Sequence, residues 1–155
     1  MIKRFKDSRE KQIDPEKELP GRRDEIKKIT KMLETAGQSL IVNLFGSAGV
    51  GKTTLAKAVC SKWQGKYVAF DLREAKDMRA VYFNLMSSFG LTVPIGKIDP
   101  NYIITKIHDE IQLSKKRVLF LLDNVEQFTV GQGKEGKNLK TAFVQFLESL
   151  SRFKG

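Results

Sequence analysis

The sequence predicts an α/β fold with three layers, in which a parallel sheet is covered by helices on both faces. Three short runs, at 39–45, 67–72 and 117–122, are almost entirely apolar, as in strands that are buried on both faces. Longer segments between these runs carry apolar residues at helical spacing. Strands that alternate with helices in this way favour a parallel sheet, because parallel neighbours need a crossover connection.

The helices are predicted from their apolar stripes and from the residues at their ends. In chain order they are a helix that carries Ile26, Ile29 and Leu33 and ends at Gly37, a helix from a glycine-rich turn to about Trp63, a helix at 77–89, a helix that begins behind Asp99 and Pro100, and a helix at 139–153. The proline suits the first turn of its helix, where an N–H group is not needed. We expect the apolar stripes to form the core.

The length of 155 residues suits one domain, which we place at 19–155 behind a charged tail at 1–18. Hydrophobic residues make up 41% and charged residues 30%, a balance typical of a soluble globular protein. The single cysteine, Cys60, excludes an internal disulfide and is expected in the core. No apolar run approaches the roughly 20 residues that span a bilayer, and no signal-peptide pattern opens the chain. We therefore expect a cytoplasmic protein without a membrane partner.

The formal net charge of +10 raises the question of a nucleic-acid partner. The basic residues are spread over the tail and the predicted helices, and they do not form one patch interleaved with aromatic residues. Nucleic acid is therefore a secondary hypothesis.

The stretch GSAGVGKT follows the first apolar run and precedes a helix. It fits the pattern G-x-x-x-x-G-K-[ST] at every position, with Gly46, Ser47, Ala48, Gly49, Val50, Gly51, Lys52 and Thr53. Glycines let the backbone N–H groups close around a phosphate, and the N-terminus of the next helix adds partial positive charge. Lys52 suits the β- and γ-phosphates, and the Thr53 hydroxyl suits Mg²⁺. The stretch thus predicts a nucleotide-phosphate site.

A second element of such a site is an acid at the end of a buried strand, which reaches Mg²⁺ through water. Asp123 follows the run RVLFLL and meets this description. We therefore predict Thr53 and Asp123 as the metal-binding residues, and Lys52 and Asp123 as catalytic candidates. Adenine is favoured over guanine, because the nearest match to an Asn-Lys-x-Asp motif, at 96–99, has the wrong first residue. The expected ligands are ATP or ADP with Mg²⁺.

Three stretches, PGRRDEI at 20–26, GSAGVGKTTLA at 46–56 and LLDNVEQF at 121–128, resemble in this order the NB-ARC module of STAND-class signalling ATPases. The resemblance covers roughly residues 19–150. It implies a three-layer αβα P-loop NTPase domain that binds ADP at rest and exchanges it for ATP. It also implies further domains and self-oligomerisation.

The same resemblance assigns roles to individual residues. It implies Arg22 near the adenine and Asp123 on the Mg²⁺ side. Around the phosphates it implies Gly49, Gly51, Lys52, Thr53 and Thr54.

The sequence departs from the NB-ARC pattern directly after Asp123. Many hydrolysing relatives have a second acid there, whereas this chain has Asn124, with Glu126 two residues on. Glu126 is a catalytic candidate if the chain curls back towards the phosphate, and a solvated loop acid otherwise. The class also continues with a fourth strand that carries a sensor arginine, whereas this chain stops at Gly155. We therefore expect an incomplete sheet.

The leading hypothesis is an Mg²⁺-dependent ATP/ADP-binding module of a signalling switch, with slow or no hydrolysis. The alternative is a DNA- or RNA-dependent ATPase of the related AAA+ type, which the positive charge favours.

Overall fold

The computed structural model describes residues 19–36, 40–93, 96, 98–130 and 133–152, the side chains of residues 133 and 134 excepted. The predicted tail at 1–18 and the predicted helix stop at Gly37 lie outside the described residues. Residue 39, where a predicted strand begins, and residue 153, where a predicted helix ends, also lie outside the described residues.

Among the described residues, helices precede, separate and follow two strands, and two of the helices lie between the strands as the sequence predicts. In chain order the elements are α1 Arg23–Thr35, α2 Lys52–Lys62, β1 Lys66–Asp71, a 3₁₀ turn Leu72–Glu74, α3 Met78–Ser88, α4 Pro100–Ser114, β2 Val118–Asp123, α5 Glu126–Thr129 and α6 Gly133–Ser151. The predicted α/β fold class is confirmed. The helix α6 begins six residues earlier than predicted, and each strand is displaced by one residue from its prediction.

The strands β1 and β2 pair in parallel, from Lys66 opposite Val118 to Asp71 opposite Asp123. The crossover between them contains α3 and α4. Both helices begin with an aspartate cap, since Asp77 accepts from the Ala80 N–H and Asp99 from the Asn101 N–H, each at 2.9 Å. Because the strands run in the same direction and end in register, two carboxylates lie at the same edge of the sheet.

Two hydrophobic clusters lie on opposite faces of the sheet. The smaller cluster joins α1 and α2 to one face of β2 through Leu119. The larger cluster joins α3, α4, α5 and α6 to the other face of both strands. Its buried members are Val68, Phe70, Leu72, Ala75, Met78, Val81, Tyr82, Leu85, Met86, Ile103, Ile107, Phe128, Phe143 and Phe146. Helices therefore cover one face of both strands and the β2 part of the other face, an arrangement of three layers.

Phe128 fixes the short helix that follows β2. Its ring is 1% exposed and lies 5.2 Å from the ring of Phe143 on α6, measured between centroids. Burying such a side chain contributes about 1.5–3 kcal/mol. The segment directly after Asp123 is thereby held against the larger cluster.

The prediction of a strand at 39–45 is wrong for residues 40–45, the part of this run that the structure describes. Residues 40–45 form no strand, because a strand requires hydrogen bonds to a neighbour and no other described segment pairs with them. They still alternate like a strand: Val42 and Leu44 pack against the smaller cluster, whereas Ile41 is 58% and Phe45 86% exposed. The apolar run thus lies along α1 and α2 with its second face uncovered.

Cys60 is 5% exposed in α2, which confirms its prediction as a core residue. Burial raises the pKa of its thiol to about 11. Within the part of the chain that the structure describes, no helix combines the length and the apolarity needed to cross a membrane.

Candidate functional site

The glycine-rich loop connects residues 40–45 to α2. Its residues Ser47, Ala48 and Val50 are exposed, together with Gly46 and Gly49. Gly49 and Gly51 have φ angles of 78° and 86°, which L side chains rarely adopt. Gly51 is also the last residue before the helix. The glycines therefore permit a tight, bare turn that leads directly into a helix N-terminus.

Lys52 is the first residue of α2 and folds back over the loop. Its Nζ donates hydrogen bonds to the carbonyl oxygens of Gly46 and Ser47, both at 2.8 Å. The first N–H groups of a helix have no partner within the helix and carry partial positive charge. The ammonium group and the helix N-terminus together provide what an anion such as a phosphate needs.

Thr53, the next residue of α2, contacts the end of β2. Its hydroxyl donates to Asp123 Oδ1 at 3.1 Å, and Asp123 is the last residue of that strand. A hydroxyl and a carboxylate are oxygen ligands of the kind that Mg²⁺ takes in phosphate sites. The structure thus brings together the two residues predicted to bind the metal, and their oxygen atoms are suitable ligands for Mg²⁺. Thr54 follows in the first turn, partly buried.

Asn124 links the ends of the two strands. Its backbone has a left-handed φ of 58°, and its N–H donates to Asp123 Oδ1 at 3.0 Å. Its side-chain Nδ2 donates to Asp71 Oδ1 at 2.7 Å. The amide therefore connects the carboxylates of both strand ends in one network.

Arg73, in the 3₁₀ turn after β1, completes this network. Its Nε lies 3.1 Å from both oxygens of Asp71, and its Nη2 donates to Oδ2 at 2.6 Å. These hydrogen bonds favour the ionised carboxylate and lower the pKa of Asp71 to about 2. The Asn124 amide and the Arg73 backbone N–H add to this lowering, and burial opposes it.

Asp71 and Arg73 are not among the site residues that the sequence predicts. A signal was present, because Asp71 ends an apolar run as Asp123 does, and the ends of parallel strands meet at one edge. The predicted strand at 67–72 puts Asp71 one residue before the strand end, whereas in the structure Asp71 is the last residue of β1.

Among the described residues, no hydrogen bond or ion pair joins Glu126 or Arg22 to the glycine-rich loop, Thr53 or Asp123. Glu126 is the exposed first residue of α5, and its side chain forms no ion pair with another described residue. Arg22 immediately precedes α1, and its Nη1 lies 3.7 Å from Oε2 of Glu25. Leu19, in the same lead-in, approaches the loop, since a Cβ on Gly51 would be 3.5 Å from its Cδ2. The lead-in to α1 therefore runs beside the glycine-rich loop.

Comparison with known proteins identifies the family. No curated protein sequence matches the chain. A family model described as an ATPase domain predominantly from Archaea matches residues 20–154, which is most of the chain and includes the loop and both strand ends. The chain therefore belongs to this family of P-loop ATPase domains found predominantly in Archaea.

Proposed function

We propose that this chain is the Mg²⁺-dependent ATP/ADP-binding module of a signalling switch, which holds its nucleotide and cleaves it slowly. The observation that carries the proposal is the hydrogen-bond network at the sheet edge, in which Asn124 follows Asp123 and is bound to Asp71. Membership of an ATPase family supports ATP as the ligand.

The loop and α2 hold the phosphates in this proposal. The N–H groups at 46–51 and at the start of α2 bind the phosphate oxygens, and Lys52 exchanges its two carbonyl partners for phosphate. Thr53 and Asp123 would hold Mg²⁺, which would neutralise negative charge on the phosphates. Gly46, Ser47, Ala48, Gly49, Val50, Gly51 and Thr54 form the rest of the binding surface, with Arg22 on the adenine side.

Slow cleavage follows from the groups next to the metal ligands. In-line attack needs a group that orients a water and accepts its proton. Asn124 cannot accept a proton, and Asp71, with a pKa of about 2, is a weak base. Glu126 is exposed at the start of α5. The edge therefore favours retention of the nucleotide over its hydrolysis.

The switch role rests on the resemblance of three stretches, at 20–26, 46–56 and 121–128, to the NB-ARC module. In that class ADP marks the resting state and ATP the assembling one. Further domains, self-oligomerisation and a cytoplasmic location belong to the same proposal.

The test is calorimetric titration of the chain with MgATP and MgADP, for wild type and Lys52→Ala. Loss of the ammonium contact should abolish binding of both nucleotides while the circular dichroism stays unchanged. Lys57→Ala, an exposed lysine on the same helix, is the matched control and should bind like wild type. Unchanged affinity in folded Lys52→Ala protein would refute the site.

A nucleic-acid-dependent ATPase of the AAA+ type is the second candidate, favoured by the net charge of +10. The residues 1–18 hold six basic and five acidic side chains, so the excess lies in the rest of the chain. Binding of labelled DNA or RNA that weakens steeply with salt, together with stimulated ATP cleavage, would favour this candidate over the switch.

A further inference from the structure

We infer that Arg73 distinguishes ATP from ADP in this chain, by donating hydrogen bonds from its guanidinium N–H groups to the terminal phosphate. The inference rests on the proposed function, because it requires a nucleotide on the phosphate loop. It concerns a residue outside the loop that no sequence motif marks.

The terminal phosphate of a bound ATP lies towards the end of β2. In a loop of this pattern the lysine reaches the β- and γ-phosphates, and the hydroxyl of the following threonine would help to hold Mg²⁺. Here that threonine, Thr53, is hydrogen-bonded to Asp123 at the end of β2. The γ-phosphate end of the nucleotide therefore faces the carboxyl edge of the sheet.

Asp71 lies one strand further along the same edge. It is the register partner of Asp123, and neighbouring strands are about 4.8 Å apart. Register partners in a parallel pair point to the same face of the sheet, and the Asn124 amide bridges from one strand end to the other. A side chain that is hydrogen-bonded to Asp71 is thus close to Asp123, on the Mg²⁺ side of the proposed site.

Asp71 holds the guanidinium of Arg73 through Nε and Nη2. The arginine side chain is 64% exposed, so it is accessible to a ligand. Hydrogen bonding by Asp71 raises the pKa of Arg73, and the negative charges of Asp123 and Glu126 add to this effect. The edge therefore carries a permanent cation with a planar fork, which suits a phosphate.

The exchange from Asp71 to phosphate replaces one charge-assisted contact of the guanidinium group by another, so little is lost when Arg73 leaves the carboxylate. A γ-phosphate offers more negative charge than a carboxylate and the same two-point geometry. Asp71 keeps the Asn124 amide and the Arg73 backbone N–H, which donates at 3.0 Å, so it is not left unpaired. ADP has no γ-phosphate, and Arg73 then stays on Asp71.

Calorimetry with MgATP and MgADP on the full chain tests the inference. Arg73→Ala should lower the affinity for MgATP about tenfold, the effect of a lost charged phosphate contact, and change that for MgADP by less than about twofold. Arg79→Ala is the matched control, because Arg79 is exposed on α3 and donates to the Gly96 carbonyl. It removes the same charge and should leave the ATP/ADP affinity ratio unchanged.

Asp71→Asn separates phosphate recognition from a structural role of the ion pair. Both substitutions break the same pair, but Asp71→Asn frees the arginine and should raise the ATP/ADP ratio, whereas Arg73→Ala lowers it. In the double variant the gain from Asp71→Asn should vanish. If the ATP/ADP affinity ratio also rose in the double variant, the effect of Asp71→Asn would be one of charge alone. If the ratio changed equally in both single variants, the ion pair would have a structural role. Either result overturns the inference.

The proposed function and the inference fail in different ways. Wild-type protein that binds neither nucleotide refutes the proposed function. Wild-type protein that binds both, with an ATP/ADP ratio that Arg73→Ala leaves unchanged, refutes the role of Arg73 alone.

Discussion

The Thr53 hydroxyl donates a hydrogen bond to Asp123 Oδ1 at 3.1 Å, although 70 residues separate the two in the chain. The contact joins the N-terminus of α2 to the end of β2. It forms even though the run before the loop pairs with no described strand. The packing of α2 against Leu119 of β2, in the smaller cluster, is what brings the two residues together.

This pair predicts how Mg²⁺ acts on nucleotide affinity. Asp123→Asn keeps an oxygen acceptor for Thr53 but removes the charge that holds the metal. We expect the gain in ATP affinity on adding Mg²⁺ to fall about 10- to 100-fold, as for loss of an outer-sphere metal partner. Affinity measured in EDTA should barely change. Titrations with and without Mg²⁺ measure both quantities.

The control for that experiment is Asp109→Asn, which removes an exposed carboxylate from α4. It should respond to Mg²⁺ like wild type. If Asp123→Asn and Asp109→Asn proved indistinguishable, Asp123 would have no role in metal binding.

The glycine-rich turn and the helix start after it could be predicted from the sequence because their signals are local. The glycines, Lys52 and Thr53 stand within eight residues, and their backbone requirements depend on no distant partner. Helices α3 and α4 could also be predicted from the sequence, since an N-terminal cap and an apolar stripe mark each one.

Two details of strand pairing could not be predicted, namely the state of residues 40–45 and the contact between Asp71 and Asn124. The apolarity of residues 40–45 indicates burial, but a strand also needs a hydrogen-bonded neighbour. The Asp71 and Asn124 contact depends on strand register, and an error of one residue at the end of β1 concealed it. Arg73 belongs to no sequence motif, and only its contact with the Asp71 carboxylate places it in the candidate site.

The depressed pKa of Asp71 predicts a pH-dependent contribution to stability. Its pKa is about 2 in the folded protein against an ordinary value of 3.8. The ionised form is therefore favoured by folding, so the stabilisation is present above about pH 4 and is lost as the pH falls through 2. The difference in melting temperature between wild type and Asp71→Asn should accordingly shrink from pH 6 to pH 2.

The same measurement in an Arg73→Ala background provides the control. Arg73 is the largest cause of the shift, so the pH-dependent part of the difference should be smaller there. A difference between wild type and Asp71→Asn that stays constant from pH 6 to pH 2 would contradict a lowered pKa.

The exposed face of residues 40–45 predicts binding of a hydrophobic dye. Leu40, Ile41 and Phe45 are 44%, 58% and 86% exposed within six residues, which makes a local apolar patch. Phe45→Ser should lower the fluorescence of an added naphthalene sulfonate dye and improve solubility. Leu113→Ser is the control, because Leu113 is 78% exposed at the end of α4. Equal losses of fluorescence in both variants would argue against a patch at 40–45.

The slow hydrolysis that we propose predicts the effect of a carboxylate at position 124. Wild type should cleave bound ATP more slowly than about 1 s⁻¹, the lower end for ordinary phosphoryl-transfer enzymes. Asn124→Asp replaces the amide that donates to Asp71 by a second acid beside it. Two adjacent carboxylates raise one another's pKa and give a better proton acceptor near neutral pH. Single-turnover cleavage should then accelerate about 100-fold, the usual effect of a positioned base.

Two further variants show whether that acceleration comes from the carboxylate pair. Adding Asp71→Asn to Asn124→Asp removes the repulsion and should reduce the gain, because the remaining acid is then a weaker base. Glu126→Gln should cleave at the wild-type rate, since Glu126 is exposed at the start of α5. Rapid cleavage by wild type would defeat the switch proposal. A large loss in Glu126→Gln alone would instead assign the orientation of the attacking water to Glu126, and would require α5 to move towards the phosphate.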